Sequence, residues 1–169
     1  ELNDPLVIIT ADHGEEFIDH GGAAHGTLYD EVISVPLLIQ DGENTGVYDG
    51  LVGLVDIAPT ILEYLGIEIP DNFEGQSLKG PIEGNEMERP PVLSEWGEPQ
   101  GTFGIMCRST GEKYIYWSDG DDELYDLGTD PDEKQNLIDE TEPSENLKQR
   151  VESHRERIIE GGDTEAEMV

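Results

Sequence analysis

Cysteine and long apolar runs are the first things this sequence lacks. Cys107 is the single cysteine among 169 residues, so no internal disulfide can form, and a small disulfide-stabilised secreted scaffold is excluded. Its neighbours Ile105 and Met106 predict a thiol buried in a strand rather than a nucleophile. The sequence has no stretch of about 18 apolar residues, the length that a membrane-spanning helix needs. It also has no signal-peptide pattern, which slightly favours a cytoplasmic location.

Basic residues are equally scarce, with 9 Lys and Arg against 40 Asp and Glu and a net charge of -31. Such a surface repels nucleic acid and anionic membranes, so neither is expected as a partner. The acidic residues are spread along the chain, which favours adaptation to high salt, and a high-salt organism, over an acidic patch for one basic partner. The 35% hydrophobic residues are concentrated in runs, and this predicts a folded domain rather than a disordered chain.

The apolar runs predict an α/β first part and an antiparallel second part. Residues 6–10 and 35–39 are short buried strands, and residues 54–66 form a helix with Asp56 as N-cap and Gly66 past its end. A Pro- and Gly-containing connection follows to residue 91. From there to residue 127, four strand-like runs are separated by turn residues, which predicts an antiparallel meander. Residues 144–159 form a last helix, with His154 on its apolar face rather than in a metal site.

A histidine cluster is the strongest functional signal. Asp12, His13 and Gly14 directly follow the first strand, and His20 and His25 lie within the next twelve residues. Chemistry collects where strands end in open α/β sheets, and carboxylate oxygen with neutral imidazole suits Zn, Mn or Fe better than Ca or Mg. The spacing alone leaves a metal site and an ordinary capping Asp beside a surface His as about equal alternatives.

These residues resemble the second half of a sulfatase of the alkaline phosphatase superfamily. The resemblance rests on blocks in the family's order, at residues 12–16, 20–22, 25–31, 35–39, 55–60 and 123–137. It implies an α/β fold: part of an alkaline-phosphatase-like mixed sheet flanked by helices, followed by a small antiparallel four-stranded subdomain with a C-terminal helix. Residues 1–90 would be the C-terminal part of the catalytic core, and residues 91–169 the small subdomain.

The resemblance also implies roles for individual residues. Asp12 and His13 match the metal ligands, for a divalent cation that would be Ca, Mn or Zn. His25 matches a catalytic residue that contacts the sulfate and the leaving oxygen, and His20 is a further substrate-binding candidate. The substrate would be a sulfate ester, either a small molecule or a glycan.

One part of the family's pattern is missing. Sulfatases carry a Cys or Ser, converted to formylglycine, in a Cys/Ser-x-Pro-x-Arg motif, and this sequence has no such motif. The formylglycine nucleophile is therefore expected in a missing N-terminal part, and this chain alone is expected to be inactive. Because the two apolar strands are expected to come from a larger, parallel sheet, an exposed sheet edge and self-association are also expected.

Two other classes of function stay open at this point. Other superfamily hydrolases, such as a phosphodiesterase or a phosphonate monoester hydrolase, and the related phosphoglycerate mutases, share the Asp-His metal pair and differ in the nucleophile. A non-enzymatic acidic binding module would leave Asp12 and His13 as ordinary turn residues. The upstream sequence would separate the enzymes from one another, and metal titration would separate an enzyme from a binding module.

Overall fold

A computed structural model describes residues 5–166, apart from the side chains of residues 23, 24 and 161–166. The chain divides into two compact units that alternate along the sequence. The described part of the first unit is residues 5–12 and 35–90, and that of the second is residues 13–34 and 91–166. The predicted division into domains 1–90 and 91–169 stays a prediction. Among the described residues, no helix is long and apolar enough to span a bilayer.

The elements follow one another in mixed α/β order. In the first unit they are β1 (Val7–Thr10), β4 (Leu37–Gln40), a 3-10 turn (Leu54–Asp56), α2 (Ile57–Tyr64) and α3 (Lys79–Ile82). In the second they are β2 (Glu16–Phe17), β3 (Ala23–Ala24), α1 (Asp30–Ile33), β5 (Val92–Gly97), β6 (Phe103–Arg108), β7 (Glu112–Trp117), β8 (Glu123–Asp126) and α4 (Glu145–Ala166). The predicted strands, their order and both long helices are thereby confirmed.

The two apolar strands of the first unit form an antiparallel pair. β1 lies beside β4 with Val7 opposite Gln40 and Thr10 opposite Leu37, an antiparallel pairing that the expected mixed sheet allows. Both strands are continuous apolar runs, and such runs do not reveal strand direction. Ile9 and Leu38 are 59% and 58% exposed, so this pair leaves apolar surface open.

The helix after residue 53 is anchored by a buried carboxylate. Asp56 is fully buried and precedes α2, but its side chain accepts hydrogen bonds from the backbone of Gly53 and Gln76 and forms an ion pair with Arg89 at 2.6 Å. It therefore ties three segments of the first unit together instead of capping the helix end. Leu65 at the end of α2 is exposed, so the predicted apolar face of this helix is not fully covered.

The second unit is built on the four-stranded antiparallel sheet, with strand order β5-β6-β7-β8. One face packs against α4, through Ile105 and Cys107 of β6 and Leu147 and Val151 of α4. Cys107 is fully buried, as predicted, and burial raises the pKa of its thiol to about 11. His154 also lies on the inner face of α4, where Nε2 is 2.6 Å from a carboxylate oxygen of Glu95.

The opposite face of this sheet is covered by Leu28, which lies far earlier in the sequence than the strands. Leu28 packs there with Met106, Ile115 and Tyr125. Gly104 makes this approach possible, because a Cβ at that position would lie 3.0 Å from Leu28 Cδ1 and 2.6 Å from the Trp117 ring. The sheet is thus buried on both faces, which explains why β6 is nearly continuously buried instead of alternating.

Candidate metal and substrate site

The histidine-bearing segment begins with a tight turn against α1. The Gly14 backbone N–H donates a hydrogen bond of 2.6 Å to the carbonyl of Val32. A Cβ on residue 14 would lie 2.1 Å from the carbonyl oxygen of Glu31, so only glycine fits at this approach. Asp12 and His13, directly before this turn, are both exposed and accessible to a solvated ion.

His13 and His25 come together although twelve positions separate them. Their rings stack with centroids 4.4 Å apart and an interplanar angle of 27°. His13 Nδ1 lies 2.8 Å from the carbonyl of Gly14, which can only accept a hydrogen bond, so Nδ1 is the donor. His25 is half-exposed, and its Nδ1 lies 3.6 Å from a carboxylate oxygen of Glu15. The structure thus joins the predicted metal ligand His13 to the predicted catalytic residue His25.

His20 has a different environment from the other two histidines. Its side chain is 11% exposed, with Nδ1 2.5 Å from Glu31 Oε1 and Nε2 2.9 Å from the carbonyl of Glu133. The ring stacks on Tyr29 with centroids 3.7 Å apart. Both ring nitrogens therefore have partners within the second unit.

A buried carboxylate organises the hairpin between His13 and His25. Glu16 is 2% exposed and accepts hydrogen bonds from the backbone N–H groups of His20, at 3.0 Å, and Gly22, at 2.8 Å. Thr27 approaches its second oxygen at 3.5 Å. The buried Glu16 carboxylate thus holds the backbone of the loop between β2 and β3 in place.

A charged cluster fixes the start of α1. Lys113 is fully buried, and its Nζ lies 2.5 Å from Glu133 Oε1 and 3.1 Å from Asp30 Oδ1. Arg108 contacts the other oxygen of Asp30 at 2.5 Å, and Glu133 Oε2 accepts a hydrogen bond of 2.8 Å from the Asp30 backbone. Burial raises the pKa of Glu133 in spite of the nearby ammonium of Lys113. The cluster couples α1 to the sheet below it.

Sequence reasoning missed the carboxylates that support the histidines. Glu16, Glu31 and Glu133 lie within the blocks of the resemblance, but nothing in the local pattern assigns them a supporting role in a chain with 40 acidic residues. The backbone carbonyl of Glu133 is 113 positions from its partner His20, which no local pattern reveals. Low exposure of an acidic side chain is the distinguishing feature, and it appears only in the fold.

The family model and the sequence relatives agree on one family. Residues 19–159 match the model of the family "N-sulphoglucosamine sulphohydrolase, C-terminal". An arylsulfatase of Clostridium perfringens is 32% identical over 172 residues, which covers 94% of this chain and 34% of that protein.

Two solved structures extend the comparison to the fold. A 2-O GAG sulfatase has a TM-score of 0.71 and 27% identity, covering 96% of this chain and 37% of its own. The phosphonate monoester hydrolase of Agrobacterium radiobacter has a TM-score of 0.70 and 27% identity, covering 80% of this chain and 31% of its own. The chain therefore spans about a third of the length of these relatives.

Proposed function

This chain belongs to the sulfatase family and represents its C-terminal portion, and from that premise we propose that it is part of a metal-dependent sulfuric ester hydrolase. The observation that carries the proposal is the stacked pair of His13 and His25, 4.4 Å apart. Such a pair is what we expect if His13, the proposed metal ligand, and His25, the proposed substrate residue, belong to one site.

Asp12 and His13 would hold the divalent cation, for which Ca, Mn and Zn are the candidates. The donor set fits, because Asp12 supplies an exposed carboxylate and His13 an exposed imidazole whose Nδ1 faces the Gly14 carbonyl, so that Nε2 would be the ligand atom. When bound, the cation would polarise the sulfuryl oxygens and lower the pKa of a coordinated nucleophile. The formylglycine nucleophile would come from the remaining two-thirds of the enzyme, since this sequence has no Cys/Ser-x-Pro-x-Arg motif.

His25 would act on the substrate. It is half-exposed and its Nδ1 faces Glu15 at 3.6 Å, so a protonated ring would be paired while one edge still reaches solvent. From that position it can stabilise negative charge on the transferring group or donate a proton to the leaving oxygen. His20 was a second candidate for substrate binding, and its inward partners lead to a different role, argued in the next subsection.

The substrate class that we propose is a sulfate ester, either a small molecule or a glycan. One structural relative is a 2-O GAG sulfatase, and one sequence relative is an arylsulfatase. A phosphonate monoester hydrolase is the second candidate, because a hydrolase of that kind has nearly the same TM-score. No observation reported above specifically favours a phosphodiesterase.

We further propose that the protein is adapted to high salt. Among the described residues only three acidic side chains, those of Glu16, Asp56 and Glu133, are buried in the core, so the negative charge is mainly on the surface. Self-association belongs to the same proposal, because the first unit exposes apolar side chains on β1 and β4 that a second copy could cover once salt screens the repulsion.

Metal titration is the test of the assigned ligands. We expect Mn²⁺ or Ca²⁺ at molar salt to give a weak saturable isotherm, with a Kd of about 10⁻⁴–10⁻³ M, because two protein ligands leave most of the coordination shell to water. Asp12→Ala should remove that component, while His25→Ala should retain it. Asp19→Ala is the matched control, since it removes an exposed carboxylate from the same loop.

Two outcomes of the calorimetry would contradict these assignments. An unchanged isotherm for Asp12→Ala would mean that Asp12 is not a ligand. Loss of the saturable component in His25→Ala would mean that the roles of His25 and the metal ligands are reversed. Loose binding by the acidic surface is expected in every variant and carries no information.

Turnover tests the absence of the nucleophile. We expect no hydrolysis of aryl sulfates or aryl phosphonates by this chain alone, because the residues described can bind and orient an ester but none is an activated nucleophile. Product release is measured photometrically with an aryl ester, with His25→Ala in parallel. Turnover that survives repurification and disappears in His25→Ala would contradict the assignment of the chain as an incomplete enzyme.

A further inference from the structure

His20 is held from three sides within the second unit. Nδ1 faces Glu31 of α1, Nε2 faces the carbonyl of Glu133, and the ring lies on Tyr29. Glu31 is eleven positions away and Glu133 is 113 positions away, so this one side chain joins three separate segments.

The partners determine the protonation state of the ring. A carbonyl oxygen can only accept, so Nε2 must carry a proton and donate it to Glu133. If Nδ1 were unprotonated, its lone pair would face a carboxylate oxygen 2.5 Å away. A proton on both nitrogens removes that repulsion and gives two charge-assisted hydrogen bonds. The geometry therefore fits an imidazolium.

A metal ion is the obvious alternative, because Glu16, His20 and Glu31 offer ligand atoms within 4.8 Å of one another. The distances do not fit a bound ion. Zinc bonds of about 2.0–2.2 Å at a tetrahedral angle separate two ligand atoms by more than about 3 Å, whereas His20 Nδ1 and Glu31 Oε1 are 2.5 Å apart. One oxygen of Glu16 is also occupied by two backbone N–H groups.

We propose that His20 is a positioning residue, a cationic latch that fastens the loop bearing His13 and His25 to α1 and to the turn at Glu133. The importance of this latch for catalysis rests on the sulfatase function proposed above, whereas the existence of the latch does not depend on that function. Gly14 fixes the start of the loop to Val32 of α1, and His20 fixes its middle to Glu31 of the same helix. With both points held, the His13 and His25 rings keep their stacked relation.

The charges around the ring make the latch sensitive to pH. The groups that face it are Glu16, Glu31, Asp130, Glu133, Lys134 and Tyr29. Burial favours the neutral ring, and Lys134 acts in the same direction. The hydrogen bonds to Glu31 and the Glu133 carbonyl outweigh both, so the pKa of His20 lies above its ordinary value of 6.5. The stabilisation is complete below that value and is lost as pH rises through the pKa of the folded protein.

The experiment is an NMR titration of the full chain from pH 5 to 9, using long-range ¹H–¹⁵N correlations of the four imidazole rings at high salt. For His20 we expect both nitrogens to be predominantly protonated at pH 6.5, where an ordinary histidine is half neutral. Glu31→Gln should move the His20 midpoint to lower pH. The matched control is Glu95→Gln, which removes the carboxylate of the separate His154 pair and should leave His20 unchanged.

Two further readouts separate a latch from a purely structural contact and from a metal site. The nuclear Overhauser contact between the His13 and His25 rings should weaken as His20 loses its proton. Added Zn²⁺ should leave the His20 ring nitrogens unchanged at every pH below its midpoint.

Each opposite result overturns the proposal. A His20 ring that is mainly neutral at pH 6.5 excludes the cation. A nuclear Overhauser contact between the His13 and His25 rings that stays constant while His20 loses its proton excludes the positioning role. Loss of the Nδ1 proton on adding Zn²⁺ makes the cluster a metal site. None of these signals requires turnover or metal binding at Asp12, so failure of the sulfatase assignment is recognised separately, by the calorimetry.

Discussion

Replacing Lys113 with methionine should lower the free energy of unfolding by about 3–5 kcal/mol, because removing one partner of a buried ion pair leaves an uncompensated charge. Both partners are buried: the side chain of Lys113 is 0% accessible to water and that of Glu133 is 1% accessible. Methionine keeps the length of the side chain, so the loss isolates the charge. Urea unfolding at molar KCl, followed by tryptophan fluorescence, measures it.

Two variants make this prediction sharp. Glu133→Gln in the Lys113→Met background should recover a large part of the loss, since the buried carboxylate is then removed while an amide oxygen can still accept from the Asp30 backbone. Lys148→Met is the matched control, because Lys148 pairs with Glu142 in an exposed position and should show no measurable change. Equal stability of Lys113→Met and Lys148→Met would show that the cluster is hydrated in solution.

The melting temperature should rise by about 10 °C between 0.01 M and 1 M KCl. The Debye length falls from about 30 Å to about 3 Å over this range, so the self-repulsion of a chain of net charge -31 is largely removed. A rise of that size corresponds to roughly 3–5 kcal/mol for a domain of this length. Differential scanning calorimetry at constant pH provides the measurement.

The shape of the salt curve distinguishes screening from general salting-out. Screening acts mainly below about 0.3 M, where the Debye length changes most, whereas exclusion of salt from the surface continues to act in the molar range. We therefore expect a steep rise at low salt followed by a plateau. A melting temperature that is flat or falls with KCl would contradict salt adaptation.

Local patterns predicted the second unit well because its elements have local signals. Turn residues separate the strands of the meander, and Leu147, Val151 and His154 recur at helical spacing, so β5–β8 and α4 follow from the sequence. The first unit was less predictable. The antiparallel direction of β1 and β4 depends on pairing between strands that are 30 residues apart, which a continuous apolar run does not encode.

The candidate site divides in the same way. Asp12, His13 and His25 were identified from spacing and resemblance, and the structure brings the two histidines together, while their chemical roles stay predictions. The supports of the site could not be predicted. Lys113 is 83 positions from Asp30, and the acidic partners are a small part of 40 carboxylates, so only burial in the fold singles them out.

The two-sided burial of the meander has a consequence for synthesis on the ribosome. Leu28 leaves the ribosome 87 positions ahead of Ile115, which it covers in the finished fold. At about 5–20 residues per second, the segment that carries the histidines waits for roughly 4–17 s before its sheet exists. During that time Leu28 lacks its apolar partners, and Asp30 lacks the two cations that neutralise it. The histidine loop, although it is synthesised first, therefore depends for its packing on strands that are synthesised much later.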